Sequence, residues 1–294
     1  MILARSQKLR VSLVIPAYNE EAHLAECLQA IAKQTVKPFE VIVVDNNSTD
    51  QTAVIARSYP FTRVISEKQQ GIVFARNTGF DAATGDVIAR LDADVIASPD
   101  WIARVQSNFD HGITALTGLA RAPLIGLYDG QHWGESCYWM RLYLWWSDAY
   151  FGVRILCGAN LALRRDAWLR IRQDTCNDPG LVHEDQDLSL LIAAMGGVVR
   201  LDKQLLVTLD EFSHNEWDKF RAYMRQRSRT KQYHRAKGTL TTARGVGTSL
   251  AWWHRAGIMT MIIVPGIPFY LNSLCILAAN MAKALSAKIL TERY

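Results

Sequence analysis

The chain has 294 residues, 49% of them hydrophobic and 21% charged, enough for one large domain or a domain with an appendage. That balance excludes a disordered chain and a small disulfide-stapled one. The formal net charge is +5, but ten Lys and Arg with no acid fall between Lys219 and Arg255, so a mildly acidic body carries one strongly basic stretch.

"RVSLVIPAY" is a continuous apolar run ended by Pro16 and predicts a buried strand. In "NEEAHLAECLQAIAKQT", Leu24, Cys27, Leu28 and Ile31 recur at helical spacing behind acids in the first turn. "FEVIVVDNN" predicts a second buried strand, and Ser48 with Gln51 fits a capping box opening a helix over "STDQTAVIARSY". A short strand follows at Thr62 to Ser66, then a helix around "GIVFARNTGFDAA" closed by Thr84 and Gly85, then a strand over "DVIARLDAD". This β-α-β-α-β-α-β alternation predicts an α/β fold, a mostly parallel sheet with helices on both faces.

Ligands of such sheets bind beyond the C-terminal ends of the strands. Those ends carry Tyr18 and Asn19, Asp45 and Asn46, and Asp92 and Asp94, with Arg76 on the helix between. Two aspartates one residue apart on a strand point the same way, and their mutual repulsion calls for a positive partner. Arg90 lies on the same face. No GxGxxG follows the first strand, which weakens a dinucleotide-binding reading.

Further on, "CYWMRLYLWWSDAYFG" is dense in aromatics that suit either a core or a membrane interface. "VHEDQDLSLLIAAMGG" opens a helix with three acids, Glu184, Asp185 and Asp187; acids there suit the helix dipole, and Asp187 reads as a cap. The basic stretch "KFRAYMRQRSRTKQYHRAKG" reads mainly as an amphipathic helix on an anionic lipid surface, with Arg225 or Arg229 free to serve a phosphate. No nucleic-acid motif accompanies it, so nucleic acid is not an expected partner. From Ala256 to Ala282 the chain runs uncharged, long enough to enter a membrane either as a span or, with Pro265, Gly266 and Pro268, as a re-entrant hairpin. If it spans, the basic residues on its N-terminal flank put the body on the cytoplasmic side. The five cysteines (Cys27, Cys137, Cys157, Cys176 and Cys275) lack metal-ligand spacing, and the first apolar stretch is too short for a secretory signal. The expected location is the cytoplasmic membrane, with the body of the chain on its cytoplasmic face.

The segments "VSLVIPAYNEE", "FEVIVVDNNSTDQT", "GIVFARNTGFDAATGDVIARLDAD", "GANLALRRDAW" and "VHEDQDLSLLI", in this order and spacing over residues 10 to 200, resemble the family-2 glycosyltransferases of the GT-A fold. The resemblance implies a Rossmann-like GT-A sheet and an inverting transfer of sugar from a nucleoside-diphosphate sugar, UDP favoured and GDP second. It implies a bound Mg2+ or Mn2+ with Asp94 as the nearer ligand and Asp92 sharing the metal or facing the ribose. Ala17, Tyr18, Asp45 and Arg76 would hold the nucleoside, Asp185 would be the general base with Glu184 in support, and Gly158, Ala159 and Asn160 would shape the sugar and acceptor pocket. The chain departs from the family's pattern at Arg90, where an apolar or aromatic residue is usual, at Asn46 in place of a second aspartate, and at Gln226-x-x-Arg229-Thr230, which lacks the tryptophan of processive members.

The expected organisation is a catalytic domain over 1–215, a basic interface segment over 216–255, a hydrophobic membrane segment over 256–282 and a tail over 283–294. The acceptor is expected to be a lipid or lipid-linked hydroxyl or phosphate. A catalytically silent scaffold of the same fold that binds nucleotide-sugar or lipid is the alternative, and the set Asp92, Asp94 and Asp185 speaks against it.

Overall fold

The structure is a computed structural model that describes residues 8–109, 112–121, 137–209 and 216–242. The expected membrane segment at 256–282 lies outside them; among the described residues no helix is long and apolar enough to cross a membrane. The described residues belong to one compact unit, Met1–Ala122 with Cys137–Gly247.

The first half follows the predicted alternation closely. Strand β1 is Val11–Ala17, helix α1 Leu24–Ala32, β2 Glu40–Asp45, α2 Thr52–Ser58, β3 Thr62–Ser66, α3 Ile72–Ala82 and β4 Val87–Leu91. The second half adds β5 Val95–Ala97, α4 Trp101–Phe109, β6 Ala115–Arg121, α5 Cys137–Phe151, β7 Asn160–Arg164, α6 Arg165–Ile171, α7 Glu184–Ala194, β8 Val199–Leu209, α8 Glu216–Ala236 and α9 Thr239–Thr242. The eight strands form one sheet in the order β3-β2-β1-β4-β7-β6-β8-β5. Strands β3, β2, β1 and β4 run parallel, whereas β7 is antiparallel to both of its neighbours and β5 is antiparallel to β8.

Every residue of β1 is buried, because helices cover both faces of the sheet. On one face Leu13, Ile15 and Val43 pack with Leu24, Cys27, Leu28 and Ile31 of α1 and with Trp101 of α4. On the other, Val14, Ile42 and Val44 pack with Ala75 and Phe80 of α3 and Leu188 and Ile192 of α7. Gly79 lets α3 settle directly on the sheet: a Cβ there would stand 2.3 Å from Val14 Cγ1 and 2.9 Å from Val44 Cγ2. Gly79→Ala is therefore expected to cost about 1–3 kcal/mol through overpacking, read as a lowered denaturation midpoint.

Two local expectations need correcting. The capping box does not form: α2 starts at Thr52 with no side-chain cap, and Ser48 Oγ instead accepts the Asn19 N–H at 3.1 Å. Asp50 organises this turn by accepting the Thr52 N–H at 2.9 Å. The DAD triplet does not extend β4, which ends at Leu91; the two aspartates sit in the turn leading to β5.

Candidate active site

Strand order reverses across β1: the chain passes from β1 out to β2 and β3, then returns to β4 on the other side. That reversal opens a crevice beyond the C-terminal ends of β1 and β4. Tyr18, 47% exposed, follows β1 at this edge. Asn19 adopts φ 53°, and its Oδ1 accepts the Thr49 N–H at 2.9 Å, tying the loop after β1 to the loop after β2. Asp45 is buried, with Oδ1 accepting the Ser48 N–H at 3.1 Å. Ala17 is buried beside it in register, its carbonyl accepting the Asn46 N–H.

Asn46 is a fastener. Its amide nitrogen donates to the carbonyls of Glu67 and Gln69 at 3.2 and 2.7 Å, and its oxygen accepts the Gly71 N–H at 2.8 Å. An aspartate there would lose both donations, so this position serves the loop between β3 and α3.

The centre of the site is a buried charge network. Arg90, 2% exposed, donates through Nη2 and Nε to Asp92 Oδ1 at 2.8 and 3.2 Å, and through Nη1 to Glu184 Oε1 at 2.5 Å. Arg76 takes the other oxygen of Glu184 at 3.0 Å and the Glu184 carbonyl at 2.7 Å. Burial would raise the Glu184 carboxyl, but the two guanidiniums outweigh it and hold it down at about 2. Arg76 has no exposed surface, and its guanidinium is taken up by Glu184 and Asn77.

The Glu184 shift carries a prediction with a definite sign. A carboxylate depressed on folding lends its stabilisation in full above its ordinary value of 4.5 and loses it as pH falls toward about 2. The stability gap between wild type and Glu184→Gln should therefore close over that acid range, as measured by denaturant titration at stepped pH.

Asp185 opens α7 beside this network. Its Oδ2 accepts the Gly158 N–H at 3.1 Å and its Oδ1 pairs with His183 Nδ1 at 2.5 Å. Burial works against the His183 cation, yet Asp185 prevails and raises its pKa. Gly158 leaves no slack: an added Cβ would lie 3.2 Å from Glu184, 3.3 Å from Asp185 and 3.4 Å from Arg90. Asn160, by contrast, faces away from the site. It is fully buried and binds Trp101 Nε1 and the carbonyls of Leu119 and Leu205, so its part in a sugar pocket is corrected to fastening β6, β8 and α4.

A second carboxylate group lies at the outer lip. Partial burial raises the Asp94 carboxyl, with the Asp92 charge adding to it. Glu20, after β1, is pushed up to about 7 by burial and then by the charges of Asp94 and Asp92, against which His23 pulls. Arg90 engages only one oxygen of Asp92, so the remaining negative charge of Asp92 and Asp94 fits a bound cation. Among the described residues no three His, Cys, Asp or Glu side chains are grouped to hold a metal alone. A cation at Asp92 and Asp94 would therefore complete its shell with phosphate oxygens and water, as Mg2+ commonly does.

Helix α8 departs from a purely lipid-facing role. Arg227 is 1% exposed, lies 3.8 Å from the Trp146 ring centroid and 4.7 Å from that of Tyr150, and donates to Ser147 Oγ. The aromatics of α5 thus receive a buried cation. Gln226 donates to the carbonyls of Pro179 and Val182, and Thr230 Oγ1 accepts the His183 N–H at 2.8 Å. Asp187 is a tie, not a cap: Oδ2 accepts the Cys176 N–H and Oδ1 meets His234 Nε2 at 2.9 Å, with both side chains fully buried. Arg225, Arg229 and Arg235 occupy the exposed face, and Arg229 donates to the Gly180 carbonyl at 3.2 Å.

The expectations thus divide. Arg76, Arg90, Asp92, Glu184, Asp185 and Gly158 meet in one network; Ala17, Tyr18 and Asp45 lie at the neighbouring edge; Asn160 and Asp187 tie elements together. Reading the sequence missed Glu20, His183 and His234. Only Glu20, an acid directly after β1, had a local signal.

The model of "Glycosyl transferase family 2" matches residues 12–167, more than half of the chain. Glycosyltransferase AglE of Haloferax volcanii is 36% identical over 115 residues, 37% of this chain and 36% of that protein. The glucosyl-dolichyl phosphate glucuronosyltransferase of the same organism is 28% identical over 175 residues, 55% of each chain. The matches thus span about a third to a half of these relatives' length. A solved mannosyltransferase of Pyrobaculum calidifontis, in complex with GDP-Man and Mn2+, is similar in fold, with a TM-score of 0.59 and 21% identity over 94% of this chain and 87% of that one. With the family's model covering β2 to β7, nearly all of β1 and the edge that carries Asp45, Arg90 and the DAD turn, the chain belongs to glycosyl transferase family 2.

Proposed function

We propose that the protein transfers a sugar, with inversion, from a nucleoside-diphosphate sugar to an acceptor hydroxyl or phosphate on a lipid or lipid-linked molecule. The observation that carries this reading is the meeting of two carboxylate pairs, Asp92 with Asp94 and Glu184 with Asp185, at one sheet edge, joined through Arg90. Tyr18, Asp45 and Ala17 hold the nucleoside; the Asp45 carboxylate can accept a base N–H such as the imide of uracil, and UDP is the first donor to test, GDP the second. Asp92 and Asp94 hold Mg2+ or Mn2+, which offsets the negative charge growing on the departing diphosphate. Asp185 takes the acceptor's proton, its carboxylate oriented by His183 and the Gly158 N–H. Arg229, on the exposed face of α8, is the candidate to reach the diphosphate from outside.

The name of the dolichyl-phosphate relative supports a lipid-linked acceptor. So does the uncharged stretch at 256–282, which would hold the catalytic unit on the cytoplasmic face of the membrane. The proposed organisation is a catalytic domain over 1–215, an interface segment over 216–255 whose helix α8 packs on that domain, a membrane segment over 256–282 and a tail over 283–294. The deciding experiment is a panel of UDP- and GDP-sugars with Mn2+, following release of the nucleoside diphosphate. Release from one donor class, lost in Asp94→Ala, supports the reading. Binding of donors without release or transfer, with lipid-phosphate acceptors present, would favour the silent scaffold.

A further inference from the structure

Arg90 places a permanent positive charge where the site otherwise gathers carboxylates. All of its contact with Asp92 falls on Oδ1, through Nη2 and Nε. The guanidinium is 2% exposed while the Asp92 side chain is 32% exposed, so the pair presents its carboxylate end to the crevice and keeps the cation behind it. The third contact, to Glu184 Oε1, anchors Arg90 to a carboxylate that Arg76 also holds. Arg90 keeps its charge, as a guanidinium does throughout the working pH range. One of the two aspartates is therefore already half neutralised before any metal arrives.

We propose that Arg90 is a positioning residue that makes divalent-cation binding depend on the nucleotide. With Asp92 shared, Asp94 supplies most of the protein's attraction for a cation, and no third ligand is grouped with them among the described residues. The cation is held weakly by the protein alone and firmly only when diphosphate oxygens complete its shell. The inference rests on the proposed placing of the cation at Asp92 and Asp94.

The test is Mn2+ binding to the full chain, counting free Mn2+ by its paramagnetic resonance, with no nucleotide and then with UDP or GDP. Wild type should bind Mn2+ at least about tenfold more tightly with one of the nucleotides. Arg90→Met should raise nucleotide-free affinity on the order of tenfold, since a cation next to Asp92 has gone, and shrink the gain from nucleotide. Arg90→Lys, which keeps the charge, should restore the wild-type pattern. Arg90→Gln, which keeps polar contacts without charge, should behave as Arg90→Met does, and it serves if the methionine variant fails to fold. Unchanged or weaker nucleotide-free binding in the uncharged variants would overturn the role of Arg90. If wild type binds no Mn2+ even with nucleotide, the cation placement itself fails, and the inference falls with it by a different signature.

Discussion

Glu184→Ala should cost about 3–5 kcal/mol of folding stability, the penalty for removing one partner of a buried ion pair. Glu184 is 6% exposed and stands between Arg76 and Arg90, which are 0% and 2% exposed. Without the carboxylate, Arg76 keeps Asn77 and a backbone carbonyl, and Arg90 keeps only Asp92. Neither guanidinium can give up its proton, and neither can reach water without opening the packing of α3 against the sheet. Glu184→Gln should be milder, because the amide oxygen still accepts one hydrogen bond. The measurement is denaturant unfolding of both variants beside wild type; a loss below about 1 kcal/mol in Glu184→Ala would show that the pairs are solvated or rearranged.

Asp185→Asn should lower transfer by about 10²–10⁴-fold while donor binding changes little. The substitution keeps shape and the hydrogen bond from Gly158, since an amide oxygen also accepts an N–H. It removes the charge that pairs with His183 and that, in the proposed role, would take the acceptor's proton. Donor affinity is expected to hold because Tyr18, Asp45, Asp92 and Asp94 lie at the β1–β4 edge. Full-rate transfer by the variant would remove Asp185 from the role of base.

The first seven elements were legible because each rests on local pattern. The stripe Leu24, Cys27, Leu28 and Ile31 is the buried face of α1, and β3 occupies Thr62–Ser66 as the sequence reads. The resemblance named Asp92, Asp94 and Asp185 as candidates from local motifs of the same kind. What stayed hidden was pairing over distance. Arg76 and Glu184 are 108 residues apart, and Asp187 and His234 are 47 apart. Nothing near Asp187 distinguishes an acid that caps a helix from one that ties α7 to α8. The basic stretch misled for a related reason: a charge count does not reveal that Arg227 turns inward onto the rings of α5 while Arg225 and Arg229 turn out.

The opposed run of β4 and β7 has a consequence for how the chain tolerates change. Leu91 at the end of β4 sits across from Asn160 at the start of β7, so the DAD turn and Gly158 leave the sheet side by side although nearly seventy positions separate them. Like two rulers read against each other, the strands set Gly158 beside Arg90 by their alignment. Deleting or inserting a single residue in either strand would swap the inward and outward side chains of that strand and carry one half of the chemistry away from the other. Length variation should thus be harmless in distant loops and ruinous along this one seam.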